Sequence, residues 1–332
     1  MSHSHIVISD LFLPQSEAKR VCTGISLPAL EKILARSSHS EIQTHALDEA
    51  LCELFGIPDL AIAPVTLLAD GIDPGSAYWL RADPVHLRLD RSHMILQTNV
   101  APSQEEAAQF CATLNQHFAA DGLKFFAPHP LRWYARLGAD PNLVTQSVYQ
   151  AEGRNSRHYL PQGEAALNWH SVMNEVQMLL FGHPAYRVCA ARGALPPNSV
   201  WFWGGGRAHP RNKLFNKVYC EFDLAELFAK AANIPVVNSV TAPEITGADL
   251  YVWDGLSAAL RRGDYYSWRE SLLNFEHQIA APLLEQLSAG KLKKITLDVL
   301  QEDKSNRFEL TRANLWKVWK RPVSIATYGE QD

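Results

Sequence analysis

The stretch Ser199–Pro210 reads SVWFWGGGRAHP, and its interpretation decides which fold and function the sequence predicts. Its first residues are mostly aromatic or β-branched, a composition typical of a buried strand. Three adjacent glycines follow, and Arg207 comes directly after them. Glycines allow a backbone to approach a ligand closely and to turn its amides towards an anion. A guanidinium at that point would add a planar set of donors for phosphate or carboxylate.

Two interpretations of the glycines stay open. They can form a tight turn at the end of a strand whose aromatic residues lie in the core, or they can form a loop that binds an anion. The spacing fits neither a Walker loop nor a dinucleotide-binding fingerprint, and because short motifs often match by chance, the local sequence favours the turn. If the loop binds a ligand, the residues expected to contact it are Trp203, Gly204, Gly205, Gly206 and Arg207.

The composition of the whole chain is that of a soluble globular protein. It has 332 residues, of which 47% are hydrophobic and 20% charged, with a formal net charge of -4. That length is sufficient for a large core with a smaller second domain. The mild acidity gives no electrostatic reason to expect a nucleic acid or a membrane as partner. Short basic clusters such as Arg261–Arg262 and Lys291–Lys294 are typical of solvated faces.

The sequence predicts a cytoplasmic protein. No apolar run reaches the roughly 18 residues of a membrane helix. The first residues have neither the basic flank nor the apolar region of a secretion signal. The cysteines are odd in number, far apart and never arranged as CxxC, which predicts free, mostly buried thiols in a reducing compartment. They are Cys22, Cys52, Cys111, Cys189 and Cys220.

Strand-like and helix-like segments alternate near both ends of the chain. Ile6–Asp10 predicts a buried strand, and Leu27–Leu34 and His45–Phe55 predict amphipathic helices. Such alternation predicts an α/β/α sandwich, in which a mainly parallel sheet is covered by helices on both faces. Later helices are expected at Trp169–Leu180, Leu224–Ala232 and Tyr266–Leu287, and later strands at Val200–Trp203, Lys217–Cys220, Pro235–Ser239, Asp249–Trp253 and Lys294–Asp298.

The middle of the chain has a different pattern, which predicts an inserted α+β subdomain. Before it, Leu60–Leu68 and Ala77–Leu80 are strand-like. Ser103 and Glu106 form a capping box for a helix that runs to Phe118. Short strands are expected at His86–Asp90, Met94–Thr98, Lys124–Ala127 and Leu131–Arg136. We therefore predict a core of residues 1–82 and 165–332, with residues 83–164 as the insert.

Ligands of such sheets bind beyond the carboxyl ends of the strands. Asp10, Asp254, Asp298 and the glycine stretch are all expected at such ends. Asp298 begins a charged run with Glu302 and Asp303, which is more typical of a solvated loop than of a catalytic acid.

The segment Trp169–Gly206 resembles cofactor-independent phosphoglycerate mutases of the archaeal type. In that family a helix leads to a His-Pro pair, then to Arg, to Gly-x-x-Pro-x-Asn and to a Trp-x-Trp-Gly-x-Gly loop. The same order is found here in His183–Pro184, Arg192–Gly193, Pro197–Asn198 and Trp201–Gly206. The resemblance adds His183 and Asn198 to the expected ligand-binding residues.

Weaker similarity reaches the two ends of the chain. Ile6–Asp10 resembles the family's first strand with its metal-binding aspartate, Cys22–Ala35 the following loop and helix, and the region of Leu283 the long C-terminal helix. The family belongs to the alkaline phosphatase superfamily, whose fold is an α/β/α sandwich with an inserted domain. The chain is most similar to a bacterial subgroup of regulatory proteins of the RpfE type.

The resemblance implies two divalent metals, held by Asp and His, that clamp the nucleophile and the leaving oxygens. The family's Asp-Glu-Ala-Gly-His signature would fall in Val252–Asp264 and its Asp-His-Ser/Thr-Thr-Pro signature in Thr296–Lys304, but neither segment contains a histidine. After His209 the only histidine is His277. We therefore expect no catalytic residue, no cofactor and no metal site, with Asp10 as a possible relic ligand.

The expected nucleophile is missing as well. The family's serine would fall in Leu60–Val65, which has no hydroxyl, and the nearest candidate, Thr66, is expected to be a strand residue. His3 and His5 flank the first strand, where terminal residues are usually frayed and solvated. The remaining histidines near the insert lack a ligand-like spacing and are interpreted as ordinary surface or core residues. They are His129, His158 and His170.

Three functions are compatible with these patterns. The first is a catalytically degenerate, regulatory protein that binds a small phosphorylated or carboxylate metabolite in the relic cleft. The second is an active, metal-dependent mutase or phosphatase with relocated ligands. The third is a protein interaction module that keeps only the fold. The sequence favours the first, with a small anionic metabolite and a protein as the expected partners.

Overall fold

The computed structural model describes residues 2–91, 93–238 and 248–329. The chain forms two compact units. The core unit comprises residues 1–55 and 212–332, and the middle unit comprises residues 56–211. The predicted boundaries near residues 82 and 164 therefore both lie inside the middle unit.

The core unit contains seven strands and seven helices within the described residues. Its strands are β1 (His3–Ser9), β2 (Ser38–Ile42), β8 (Lys217–Cys220), β9 (Val236–Val237), β10 (Ala248–Trp253), β11 (Lys294–Leu300) and β12 (Ser305–Thr311). Its helices are α1 (Gln15–Val21), α2 (Pro28–Arg36), α3 (Leu47–Phe55), α9 (Asp223–Ala231), α10 (Gly255–Arg261), α11 (Tyr265–Phe275) and α12 (Ala281–Ser288).

The strands of the core unit form one sheet in the order β2-β12-β11-β1-β10-β8-β9. The five strands from β11 to β9 run parallel, whereas β12 and β2 are antiparallel additions at one edge. On one face, Ile6, Ile8 and Leu297 pack in a continuous apolar cluster with residues of α2, α11 and α12. β1 and β11 are buried along almost their whole length, as expected of central strands covered on both faces, and the buried positions include polar residues such as His5 and Asp298. The predicted mainly parallel α/β sandwich is confirmed.

The middle unit is built on an antiparallel sheet. Its strands are β3 (Tyr78–Asp90), β4 (His93–Gln97), β5 (Lys124–His129), β6 (Arg132–Leu137) and β7 (Ser199–Gly206). Its helices are α4 (Ile62–Ala69), α5 (Gln104–His117), α6 (Val148–Ala151), α7 (Ala166–Gly182) and α8 (Pro184–Ala191). The long strand β3 pairs with β4, β6 and β7, so it crosses the predicted boundary at residue 82 without a break.

Local sequence signals identify several of these elements correctly. The capping box is formed, since the Ser103 side chain accepts from the Glu106 amide and the Glu106 side chain binds the Ser103 amide. The five cysteines are free and buried, as expected. Part of the strand predicted at Pro235–Ser239 is observed as β9, and Ser239 lies outside the described residues. Within the described parts of the chain, no helix has both the length and the apolar character needed to cross a bilayer.

Two predictions about strands are wrong. Leu60–Leu68, expected as a strand, forms a short 3-10 turn and then α4. Its first helical residues are apolar and buried on all sides, so periodicity could not separate helix from strand. The strand at Val200–Trp203 is present as β7, but it belongs to the antiparallel sheet of the middle unit and not to the parallel sheet.

The three glycines continue β7 and are neither a turn nor an open loop. A Cβ atom on Gly206 would lie 2.3 Å from the Ala61 Cβ, and one on Gly204 would lie 2.9 Å from the Ile62 Cβ. Gly204 also has a positive φ of 61°, which favours glycine. The glycines therefore let the start of α4 pack directly on the strand.

We predict that Gly206→Ala destabilises the protein by about 1–3 kcal/mol, the usual cost of overpacking, because the new methyl group would collide with Ala61. Gly182→Ala is the matched control, since a Cβ there would meet open space. Urea denaturation of the two variants checks this. Equal midpoints would show that close packing is not what requires glycine at position 206.

Candidate functional site

The residues that carry the family resemblance are held by contacts within the middle unit. The His183 side chain caps α8 by accepting from the Ala185 amide at 3.1 Å, and its other nitrogen lies 3.0 Å from the Thr113 hydroxyl. Partial burial lowers the pKa of His183 below its ordinary value. Its ring nitrogens therefore have local partners in the described structure.

Asn198 also has local partners. Its side chain accepts from the Leu87 amide at 2.7 Å and donates to the Leu87 carbonyl at 3.1 Å. Its own amide donates to Val85 at 3.0 Å. Asn198 thus extends the pairing between β3 and the start of β7 with its side chain.

Trp203 is part of a buried charge network that the sequence did not reveal. Arg81, 2% exposed, donates from two nitrogens to Asp83 at 2.7–2.9 Å, and the Trp203 indole donates to the same carboxylate at 2.7 Å. The Arg81 guanidinium lies over the rings of Trp203 and Tyr134, at 5.2 and 5.4 Å from their centroids. A buried charge is costly unless it is paired, and this one is surrounded by an ion pair and two aromatic faces.

Arg207 is the one predicted ligand-binding residue of the glycine stretch with an exposed charge. Its guanidinium donates to the carbonyl of Ser76 and is otherwise exposed. Gly206 pairs with Trp79 in the strand ladder. Any anion at this point would therefore contact Arg207.

In the core unit, the carboxyl ends of the parallel strands carry acidic residues. Asp10 follows β1 with φ of 57°, and its carbonyl accepts from the Trp268 indole at 3.1 Å. Asp254 follows β10 and lines a cavity of about 380 Å³ together with Glu221 and Glu270. Burial raises the pKa of Asp254, and the negative charge of Glu221 adds to the effect. Hydroxyls and amides complete the cavity, with Ser267, Ser271, Asn274 and Gln278.

Asp298 lies within β11 rather than at its carboxyl end, so that prediction is wrong. The strand continues to Leu300 because Val299 and Leu300 are apolar and fully buried. Asp298 itself is 2% exposed. Glu302 and Asp303, by contrast, lie in the exposed loop that the charged run predicts.

The Asp298 carboxylate is fully engaged by two neighbouring strands. Arg307 of β12 donates to both of its oxygens at 2.7 and 2.8 Å, and His5 of β1 lies 2.7 Å from one of them. Burial opposes ionisation of Asp298, but the hydrogen bonds from Arg307 and His5 outweigh it and hold its pKa below the ordinary value. We call this group the Asp298 triad.

The expectation that His3 and His5 are frayed and solvated is also wrong. Both lie in β1, which is paired on each side, and His5 is only 6% exposed. His3 is half-buried and lies 2.9 Å from the hydroxyl of Thr296. Burial, followed by the charges of His5 and Lys294, lowers the pKa of His3 from 6.5 to about 4.

The predicted site residues are distributed over both units. Asp10, Asp254 and Asp298 belong to the core unit, whereas Arg207 belongs to the middle unit. Among the residues that the structure describes, no three His, Cys, Asp or Glu side chains are grouped so that they could hold a metal ion. Thr66, the nearest candidate nucleophile, is a fully buried helix residue that donates to backbone carbonyls of its own helix.

Comparison with known proteins places the chain near phosphoglycerate mutases. No protein-family model matches it. It is 24% identical over 189 residues to a probable 2,3-bisphosphoglycerate-independent phosphoglycerate mutase of Geobacter sulfurreducens, covering 53% of this chain and 47% of the relative. It is 26% identical over 119 residues to the corresponding mutase of Methanosarcina acetivorans, covering 35% and 30%. The matches thus span less than half the length of these curated relatives.

Solved structures show the shared fold. The PH0037 protein from Pyrococcus horikoshii aligns with a TM-score of 0.56 at 11% identity, over 93% of this chain and 87% of that one. A cofactor-independent phosphoglycerate mutase from Thermoplasma acidophilum aligns with a TM-score of 0.46 at 12% identity, over 100% and 96%. The chain thus shares its fold with the PH0037 protein, while its sequence similarity is to 2,3-bisphosphoglycerate-independent phosphoglycerate mutases.

We predict a pH dependence of stability that comes from His3. Because its pKa is about 4 in the folded protein and 6.5 in the unfolded chain, the unfolded chain binds the proton first, so stability falls as the pH drops from 6.5 towards 4. Asp298, whose pKa is also depressed, adds a further loss below its ordinary pKa of 3.8. His3→Gln should flatten the dependence between pH 6.5 and 4.

Urea midpoints at several pH values measure this effect. His277→Gln is the control, since His277 is an exposed histidine of the same unit. An unchanged slope in His3→Gln would contradict the assignment.

Proposed function

We propose that this chain is a non-catalytic relative of cofactor-independent phosphoglycerate mutases and that its role is regulatory, as in the RpfE-type subgroup that it resembles. The observation that carries the proposal is the Asp298 triad. Asp298 lies in β11, inside the large sheet, and Arg307 donates hydrogen bonds to both oxygens of its carboxylate.

Within the described residues, the donor set of the core unit does not fit a pair of divalent metals. A cation bound at Asp298 would meet the guanidinium of Arg307, whose pKa is raised by its hydrogen bonds to the same carboxylate and which therefore stays charged. Displacing Arg307 would separate a half-buried ion pair and leave Arg307 only the more distant carboxylate of Glu53, at 3.8 Å, which is unfavourable. No step of phosphoryl transfer is therefore assigned to metals here.

The cavity beside Asp254 does not favour a phosphorylated substrate either. Three carboxylates, those of Glu221, Asp254 and Glu270, line it together with neutral polar groups. Like charges repel, so these carboxylates oppose the entry of a negatively charged phosphate. Protonation of Asp254, which its raised pKa favours, reduces this repulsion but does not reverse it.

We predict that the purified protein shows no phosphoglycerate mutase or phosphatase turnover above a metal-containing buffer blank. The assays are interconversion of 2- and 3-phosphoglycerate and hydrolysis of p-nitrophenyl phosphate, each with added Mn²⁺ or Zn²⁺. Circular dichroism of the same sample verifies that it is folded. Stoichiometric metal binding with turnover that Asp10→Ala abolishes would refute the proposal in favour of an active enzyme with relocated ligands.

A small anionic metabolite remains part of the proposal, with Arg207 as its contact. Because the charged residue of the glycine stretch, Arg207, is exposed to solvent, we expect 3-phosphoglycerate to bind with a dissociation constant of about 1 mM or weaker. Arg207→Ala should weaken calorimetric binding about tenfold, since a charge-assisted contact is worth about 1.5–3 kcal/mol and exposure reduces it. Arg187→Ala, an exposed arginine of α8, is the control. Equal binding by wild type and Arg207→Ala would remove the glycine stretch from the site.

A further inference from the structure

The last part of the described chain carries an unusual charge pattern. Between Glu309 and Glu330 the sequence has four cations, Arg312, Lys317, Lys320 and Arg321, and no aspartate or glutamate. Set against the whole-chain charge of -4, these four leave -8 on the remainder. The segment is therefore locally cationic, in a chain whose remaining residues carry a net negative charge. We call residues 312–323 the basic aromatic segment.

The same segment exposes large apolar side chains. Trp316 and Trp319 are 78% and 73% exposed, and Val318 is 66% exposed. The other seven tryptophans of the chain are buried or half-buried. Leaving two indoles in water costs hydrophobic free energy, and clustered exposed apolar groups usually mark an interaction surface.

The backbone of the basic aromatic segment is held in place by the core unit. Arg36 of α2 donates to the Leu315 carbonyl, and within the segment the amides of Lys317 and Lys320 donate to the carbonyls of Asn314 and Lys317. Just beyond it, the Ile325 amide donates to Glu31 at 3.3 Å. The tryptophans therefore project from an ordered backbone, and little backbone order would have to be created on binding.

Further positive charge lies nearby. The Arg312 guanidinium packs next to Gly290, which directly precedes the exposed Lys291 and Lys293. The nearest carboxylate along the strand, Glu309, is already paired with Lys294. This region of the surface thus attracts anions over a wider area than the segment alone.

We propose that the basic aromatic segment binds an anionic lipid surface, with Trp316 and Trp319 in the headgroup zone and the cations on the acidic headgroups. Indole rings favour that zone, where one part of the ring is apolar and another donates a hydrogen bond. Lys and Arg near an anionic bilayer each strengthen binding about fivefold at low salt. A symmetric contact with a second copy of the chain is disfavoured, because two such segments repel each other. A small folded partner would need pockets for two protruding indoles, whereas a bilayer accepts them without preformed pockets.

The experiment uses the full chain and vesicles of two compositions, phosphatidylcholine alone and an equal mixture of phosphatidylcholine and phosphatidylglycerol. We expect the protein to co-sediment with the anionic vesicles only. Added salt should weaken this binding, because charges further apart than the Debye length, about 10 Å at 0.1 M salt, are screened from each other. Brominated acyl chains in the anionic vesicles should quench tryptophan emission. Lys317→Ala/Lys320→Ala/Arg321→Ala should lower the partition coefficient about a hundredfold, and Trp316→Ala/Trp319→Ala should abolish the quenching.

Matched controls remove exposed groups elsewhere. Met178→Ala/Phe181→Ala removes two apolar side chains that are 68% and 64% exposed, and Arg261→Ala/Arg262→Ala removes two exposed cations. Both should bind like the wild type, and thermal melts of all variants verify folding. The proposal is overturned if the wild type ignores anionic vesicles, or if the triple variant binds as well as the wild type. It is overturned in favour of an acidic protein or a nucleic acid if soluble poly-glutamate or an oligothymidine shifts the emission of Trp316 and Trp319 while vesicles do not.

Discussion

The Asp298 triad joins three neighbouring strands of the large sheet through side chains as well as backbone. Arg307 lies opposite Asp298 in the antiparallel register of β11 and β12, and His5 reaches the same carboxylate from the parallel strand β1. A buried charge of this kind is tolerated only with complete partners, because removing one partner leaves several kcal/mol of desolvation uncompensated. The triad therefore ties the antiparallel edge of the sheet to its parallel centre, and the helices pack on a surface that this junction keeps in register.

The same junction limits the chemistry that the sheet can support. Two hydrogen bonds from Arg307 and the contact with His5 engage most of the lone pairs of the Asp298 carboxylate, and the guanidinium repels a metal in addition. At Asp298, holding the sheet together therefore competes with holding a divalent cation. The acids that remain at the carboxyl ends, Asp10 and Asp254, follow adjacent strands, but within the described chain they are not joined by the imidazoles that would complete a two-metal site.

Elements whose formation depends on residues close in the sequence could be predicted from the sequence. Contacts between residues that are far apart in the sequence could not. The capping box at Ser103 and the buried strand at Ile6–Asp10 were predicted because their signals are local. The sheet to which β7 belongs was not, since its partner β3 lies more than a hundred residues away and nothing in either strand specifies the other. The Asp298 triad was missed for the same reason: His5 and Asp298 are 293 residues apart. His5 resembles a frayed terminal residue as long as its burial is unknown. The strand prediction for α4 has another cause, since a segment that is apolar on all sides shows no hydrophobic periodicity that would distinguish a helix from a strand.

The resemblance to phosphoglycerate mutases rests on residues that this structure employs in folding. His183 caps a helix, Asn198 pairs with a strand, and the glycines make room for Ala61 and Ile62. Each of these tasks requires a particular residue type for steric or hydrogen-bonding reasons that hold whether or not a substrate is present. A motif of this kind can therefore be present without the chemistry with which it is associated. Its presence here is explained by packing and hydrogen bonding in the middle unit. Function depends instead on charges that packing leaves available. In this chain those include Arg207, the acids beside Asp254 and the cations of the basic aromatic segment, and the acids and the cations attract ligands of opposite charge.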